Sequence, residues 1–439
     1  MHKKYLFFHF MLVFFLPVFL TAQASNDSLP PAATLEQCIA YALKNSPLIQ
    51  QAAIDEQITE QTIKSKLADW YPQVNFNYSL QHNFQLQTSI FGGNPITIGV
   101  RNTSLGQFAV SQNIFNRDVL LAVRSKGDVQ LQSRQNTVNR KIDLIANVSK
   151  AFYDILATSQ QIKVADQNIL RLERSLKDAY NQFQVGITDK TDYKRTTITL
   201  NNTKVTRQTN IELLQAKKQY LQYLAGYPAA AEINILYDSM RIEREIVLDT
   251  LQRPDYTQRI EYSILATQKK LHEANYAYEK NSYLPSVSLN GAYNLNYLNN
   301  NLSKLYANNF PGSFAALTLG IPIYQGGKRK SKINVAALQI QRVNKDIENL
   351  QLLVNTQYAS SLASYKSNYA NYLALKQNIE LATEVYNVIE LQYRSGIKSY
   401  LEVINSETDL RTSQINYFNA LYQVLASKID VLRALGLIK

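Results

Sequence analysis

Two stretches of this chain are nearly free of helix breakers, and they limit the possible folds more than any other feature. Between Arg117 and Ala225 there is no proline and only Gly127 and Gly186; between Lys328 and Leu435 only Gly396 interrupts. In a helix interior Gly costs about 1 kcal/mol and Pro about 3 kcal/mol, so runs this clean read as very long helices, each broken once near a single glycine. The other Gly and Pro gather at 72–106, 226–254 and 285–327, which read as strands, loops and connectors. With 14 Gly and 11 Pro in 439 residues, the chain has too few turns for several compact domains.

The clean stretches carry a heptad. Val148, Ile155, Ile162, Ile169, Leu176 and Phe183 recur every seven residues, with Leu144, Ala151, Thr158, Ala165, Leu172 and Ala179 between them. A strict 3.5-residue period specifies left-handed supercoiling. The pattern returns 210 residues later as Tyr358, Tyr365, Tyr372, Ile379, Tyr386 and Tyr393. Phe183-Gln-Val-Gly186 aligns with Tyr393-Arg-Ser-Gly396 and Asp192 with Glu402; Trp70-Tyr71-Pro72 matches Tyr283-Leu284-Pro285 at an offset of 213. The chain is an internal duplication.

Immediately after Pro72 and Pro285 the period changes to two. Val74, Phe76, Tyr78 and Leu80 alternate with Gln73, Asn75, Asn77, Ser79 and Gln81; in the second copy Leu289, Tyr293 and Leu295 alternate with Ser288, Asn290, Asn294 and Asn296. Return strands are expected at about 105–115 and 313–324, the latter with Leu317 and Leu319 on its apolar face. Each repeat thus supplies a β-hairpin with one greasy and one wet face, and its tip, around 91–95 or 299–311, is expected to be long, polar and flexible.

The N-terminus reads as a secretory signal: Lys3 and Lys4, an apolar run from Tyr5 to Leu20, then Ala22-Gln23-Ala24 as a cleavage site. Export changes the meaning of the charge. A balance of +12, or +10 without Lys3 and Lys4, suggests nucleic acid in a cytoplasmic protein, but no nucleic-acid partner is expected outside the cytoplasm. The lone Cys38 excludes an internal disulfide framework, and four scattered histidines offer no metal or catalytic cluster. Gly326-Gly327-Lys328 lacks the Ser/Thr and first glycine of a phosphate loop. No cofactor and no enzymatic activity are expected.

An exported chain with such strands points to a membrane barrel around a wet interior. Four strands cannot close a barrel, and open edges in hydrocarbon cost several kcal/mol for each unsatisfied group. Three copies give twelve strands and a lumen, whereas eight strands would be filled by side chains. The helices at 117–183 and 328–393 each span roughly 100 Å, and the shorter pieces, laid end to end within each repeat, match that length. A tube continuing the barrel follows. The alternative is a secreted or surface-attached coiled-coil structural or adhesive protein, which leaves the strands without a role.

At this point the sequence resembles the TolC family of outer-membrane efflux channels. The residues that carry the resemblance are Thr34-Leu-Glu-Gln-Cys-Ile-Ala-Tyr-Ala-Leu-Lys-Asn-Ser-Pro47, the Tyr71-Pro72 and Leu284-Pro285 pairs, and the two aromatic-x-x-Gly tips. The resemblance implies a mixed, mainly α fold in which long coiled-coil helices form a periplasmic α-barrel. Four β-strands per chain would join a trimeric twelve-stranded transmembrane barrel. It implies a passive exit duct for efflux or type I secretion in the outer membrane of a Gram-negative-type bacterium, docked by a periplasmic adaptor (membrane fusion protein) and energised through it by an inner-membrane pump of the RND or ABC type. The domains then read as signal peptide 1–24; first repeat 25–225, with helix 35–70, hairpin 73–115 and helices 117–183 and 190–225; equatorial linker 226–256; and second repeat 257–439, with helix 257–283, hairpin 285–324 and helices 328–393 and 398–435.

Site residues follow from the two lines of argument. Alternation puts Val74, Phe76, Tyr78, Leu80, Leu289, Tyr293, Leu295, Leu317 and Leu319 toward outer-membrane lipid. The resemblance implies adaptor docking at Phe183, Val185, Gly186, Ser395 and Gly396, although the glycines also serve as left-handed helix ends. It implies a periplasmic gate closed by links of Tyr393 with Asp192 and Lys398 with Thr191, and narrowed by Glu402 and Asn405. Ser399-x-x-Glu402 is equally a capping box for the returning helix. Lys328, Arg329, Lys330 and Lys332 could meet anionic headgroups or form a solvated collar.

Overall fold

The computed structural model describes residues 32–236 and 239–438; the signal segment at 1–24 lies outside the described residues. The chain enters helix α1 (Leu35–Asn45) through a capping box in which Thr34 and Gln37 bond each other's backbone amides. The single helix expected over 35–70 is in fact two, because Pro47 has no N–H to give and holds Ser46 extended (ψ 126°) before opening α2 (Pro47–Ala68). Strands β1 (Gln73–His82) and β4 (Asn102–Phe115) enclose a second, smaller hairpin, β2 (Gln87–Phe91) and β3 (Asn94–Ile98). That hairpin corrects the expected loop at 91–95: Gly92 and Gly93 have φ +60° and +87°, as a tight two-residue turn requires.

Helix α3 (Arg117–Gln184) and α4 (Lys190–Ala225) complete the first repeat. A linker with the short α5 (Ser239–Ile246) leads to α6 (Ile260–Lys280), which has 3₁₀ turns at both ends. Strand β5 (Ser286–Asn299) and β6 (Gly312–Gly320) are joined by a loop with a 3₁₀ turn at Leu302–Ala307, where Leu305 is buried. β6 ends before the expected 324, since Pro322 offers no ladder hydrogen bond. Helices α7 (Lys328–Arg394) and α8 (Tyr400–Leu435) close the chain.

The sheet is antiparallel in the order β1-β4-β5-β6, so β1 and β6 are open edges. The helices form a slab four wide. Near the sheet its order is α2, α3, α6, α7, and away from the sheet it is α4, α3, α8, α7. Where the two levels meet, short helices stand end to end. The left-handed Gly226 ending α4 abuts the α1–α2 junction at Asn45 and Pro47, and the left-handed Gly436 ending α8 abuts Gln258 and Arg259 before α6. Arg259, 5% exposed, donates to the Ala434 carbonyl at 3.3 Å and caps that end.

The main core lies at this junction, around Cys38, Val148, Ile155, Leu221, Leu425 and Val431. Here the repeats diverge. The first copy buries Val148 and Ile155 against neighbouring helices, while Tyr358 and Tyr365 of α7 donate hydroxyl hydrogen bonds to Gln252 O and Ile246 O of the linker strapped across them. A second, smaller core near the far end gathers Ala179, Tyr386, Tyr400, Val403 and Leu410. No helix among the described residues is long and apolar enough to cross a membrane.

Candidate functional site

Strand register fixes which side chains share a face. Val74, Phe76, Tyr78 and Leu80 of β1 lie opposite Val110, Phe108, Gly106 and Ser104 of β4, which pair in turn with Gly291, Tyr293, Leu295 and Tyr297 of β5. Leu289 and Val287 pair with Leu317 and Leu319 of β6. The same face is largely open, with Val74 68% and Leu317 70% exposed; Leu295 is half-buried. The opposite face is stitched by amides. Gln107 donates to Asn294 Oδ1 at 2.9 Å, and Asn290 donates to Thr318 Oγ1 at 3.2 Å. Phe314, Leu105 and Leu298 also lie on that second face, so it is polar in the main but not throughout.

At the helix end of the sheet the four basic residues separate. Arg329 is buried: its Nη2 donates to Pro322 O at 2.8 Å and its guanidinium lies 4.0 Å from the Tyr283 ring centroid. It locks the β6–α7 connection and is not free to meet a headgroup. Lys328, Lys330 and Lys332 are exposed.

The two helix tips have one geometry. At the end of α3, Gly186 (φ +75°) lets Ile187 N–H reach Gln182 O at 2.9 Å; at the end of α7, Gly396 (φ +76°) lets Ile397 N–H reach Gln392 O at 2.9 Å. Both are Schellman caps, in which the residue after the glycine usually packs back on the helix. Here Ile187 and Ile397 stay 73% and 71% exposed, beside Val185 at 70%, and Ser395 is exposed too. Phe183 instead turns inward, 5.2 Å from the Tyr193 ring, while Tyr393 and Tyr400 rings lie 5.5 Å apart.

The expected gate residues find other partners within the chain. Tyr393 donates to Gln182 Oε1 at 3.0 Å, and its burial holds the phenol above its ordinary pKa. Lys398 donates to Glu402 Oε1 at 2.6 Å, and Glu402 Oε2 accepts from Ser399 N–H at 3.0 Å, completing the capping box. The Lys398 contact and the Ser399 amide hold the Glu402 carboxyl below its usual range. Thr191 is exposed, with its amide capped by Asp189 at 3.2 Å, and Asn405 is exposed on α8. Within one chain Asp192 makes no hydrogen bond with Tyr393, nor Thr191 with Lys398.

One constellation escaped the sequence reading. Glu407, 3% exposed, accepts from Arg171 Nε at 3.3 Å between α8 and α3, while Arg411 Nη1 donates to Thr203 Oγ1 at 3.0 Å. The Arg171 guanidinium lies 5.7 Å from the Tyr386 ring. Burial raises the Glu407 carboxyl above its usual pKa despite the arginine. The signal was present: Tyr400, Val403, Glu407, Leu410, Gln414, Tyr417 and Leu421 follow a 3-4 seam, and Glu407 occupies an apolar position of it. Glu407 stands on α8 between Val403 and Leu410 of the second core, and Tyr386 of that core faces Arg171.

The sequence profile of the family described as outer membrane efflux protein matches residues 38–226 and 264–437, one block in each repeat. Outer membrane protein TolC of Escherichia coli is 20% identical over 440 residues, covering 96% of this chain and 86% of that protein. Toluene efflux pump outer membrane protein TtgC of Pseudomonas putida is 22% identical over 413 residues, covering 92% and 82%. A crystal structure of CusC superposes with a TM-score of 0.72 at 18% identity, covering 91% of each chain. These likenesses lend no support to a secreted coiled-coil rod.

Proposed function

The chain belongs to the outer membrane efflux protein family, and from that membership we propose that it acts as the passive exit duct of a tripartite efflux or type I secretion system, spanning the outer membrane with its strands and the periplasm with its helices. The observation that carries this reading is the open-edged sheet whose apolar face is exposed from β1 to β6. Left alone in lipid, the β1 and β6 edges would strand their backbone groups. Sheet and slab both end in unlike edges, β1 against β6 and α2 or α4 against α7. Unlike edges pair head to tail, and such contacts make a ring when the rotation between copies closes. Three copies give twelve strands and twelve helices across.

The helix tips are the surface we assign to the periplasmic adaptor, with Phe183, Val185, Gly186, Ser395 and Gly396 shaping it; an RND or ABC pump would act through that adaptor. In the assembled ring, Tyr393, Asp192, Lys398 and Thr191 would meet tips of neighbouring chains, so their closing links are proposed between subunits. Glu402 is read as the cap of α8, with Asn405 left to line the entrance. No chemistry is assigned to the chain itself.

The test is oligomeric state together with facing. The protein in detergent is expected to have the mass of three chains. In cells, single cysteines at Asn75, Asn77 or Asn290 are expected to react with a membrane-impermeant thiol reagent, and those at Val74, Phe76 or Leu289 to be protected. A monomer, or preferential labelling of the apolar set, would overturn the reading.

A further inference from the structure

The strand-bearing end of the molecule contains no acid. From Trp70 to Asn116 and from Ser286 to Gly327 there is no Asp or Glu, and the only Lys or Arg are Arg101 and Lys304. All four strands of the main sheet lack charged side chains on both faces, so a barrel built from them is uncharged inside whichever face lines it. The nearest carboxylates, Asp69, Asp118 and Glu279, flank the helix end of the sheet. β4 alone separates that end from the other by roughly 45 Å at the usual rise per residue.

The two cations are brought to one rim. Arg101 N–H donates to Asn300 Oδ1 at 3.0 Å, and its carbonyl accepts from Asn83 N–H at 2.7 Å. Asn102, 1% exposed, donates through Nδ2 to Asn299 O and Asn300 O, both at 3.1 Å, and Asn299 Nδ2 donates to Lys304 O at 3.1 Å. These amide bonds fasten the β3–β4 link to the β5–β6 loop, and both cationic side chains are exposed above them. His82 bonds Asn102 Oδ1 at 2.6 Å beside them.

We propose that Arg101 and Lys304 of each chain form a cationic ring at the outer mouth that binds multivalent phosphate anions, set above a barrel with no charge filter. The ring rests on the trimeric barrel proposed above. Six cations with no carboxylate near them bind clustered phosphate oxygens, Arg bidentately and Lys as a point charge. The same absence of carboxylates leaves the mouth without a site for multivalent cations. A phosphate presented by an outer-leaflet lipid and a free polyphosphate offer the same chemistry.

The experiment uses trimers in planar phosphatidylcholine bilayers at about 0.1 M salt, where charges interact over roughly 10 Å. Sodium triphosphate added at the outer mouth is expected to lower conductance saturably. The Arg101→Gln, Lys304→Gln double variant should need about tenfold more, as expected for charge-assisted bonds, while hexaamminecobalt(III) on that side should have no effect. No triphosphate block, a block unchanged in the double variant, or a block by the trivalent cation would overturn the proposal. An outer leaflet of lipopolysaccharide separates the sources: lost sensitivity to triphosphate identifies lipid phosphate as the occupant, and retained sensitivity a soluble one. Absence of channels or of trimers would instead count against the barrel reading.

Discussion

A methyl group at Gly226 would sit 2.5 Å from the backbone Asn45 O and 2.8 Å from Cδ of the rigid Pro47 ring, whereas one at Gly186 would meet nothing within 4 Å. Both glycines are left-handed, so both alanine variants carry the conformational cost of roughly 1–2 kcal/mol. Only Gly226→Ala also drives α4 away from the α1–α2 junction. Thermal unfolding of the detergent-solubilised protein should therefore show a far larger drop for Gly226→Ala than for Gly186→Ala, and equal drops would refute end-to-end docking at this glycine. Glu402 gives a pH signature. Its folded carboxyl lies below the ordinary range, so its contribution is present above that range and fades as pH falls through the lowered pKa. A Glu402→Gln variant is expected to be less thermostable at neutral pH and to converge on the parent protein as pH falls below the ordinary carboxylate range. A gap that persists in acid would mean that the cap is not electrostatic.

Duplicated helices have been put to different uses. α3 buries aliphatic heptad residues against neighbouring helices, while α7 presents tyrosines whose hydroxyls satisfy carbonyls of the linker. The last turn of α5 at Ile246 and the irregular chain at Gln252 both leave carbonyls that need donors, and a tyrosine reaches them without leaving the heptad seam. The helix tips kept the same Schellman geometry in both copies but left their isoleucines uncovered, and these side chains belong to the surface proposed for the adaptor. Ile187→Lys with Ile397→Lys is expected to abolish efflux while leaving trimer yield unchanged. Drug susceptibility beside a trimer assay checks this, and normal efflux would remove the tips from adaptor docking.

At the scale of the whole molecule the exposed apolar face is a prediction about solvent. Arg introduced near mid-strand at Phe76 or Leu317 should destabilise the inserted protein by about 2–4 kcal/mol, and Arg at Asn77 or Asn290 by much less. Folding of the variants into lipid vesicles under denaturant measures the difference. Equal costs on the two faces would show that neither meets hydrocarbon. In the proposed ring the slab and the sheet would close by the same operation, since β4 runs into α3 and β6 into α7 with only short connections.

Breaker spacing, heptads and alternation were sufficient to locate the long helices, the hairpins and the duplication, because these are local periodicities and a backbone obeys them wherever it is placed. They also placed Val74 through Leu80 on one face, since a period of two leaves no other choice. The sequence did not reveal the β2–β3 hairpin, whose only mark was two adjacent glycines, or the break at Ser46–Pro47. Partners lay further out of reach. Gln182 rather than Asp192 receives the Tyr393 hydroxyl, Arg329 is buried against Tyr283, and Glu407 meets Arg171 from 236 residues away. Such pairings depend on how α3, α7 and α8 are stacked against one another, and only the tertiary structure fixes that distance.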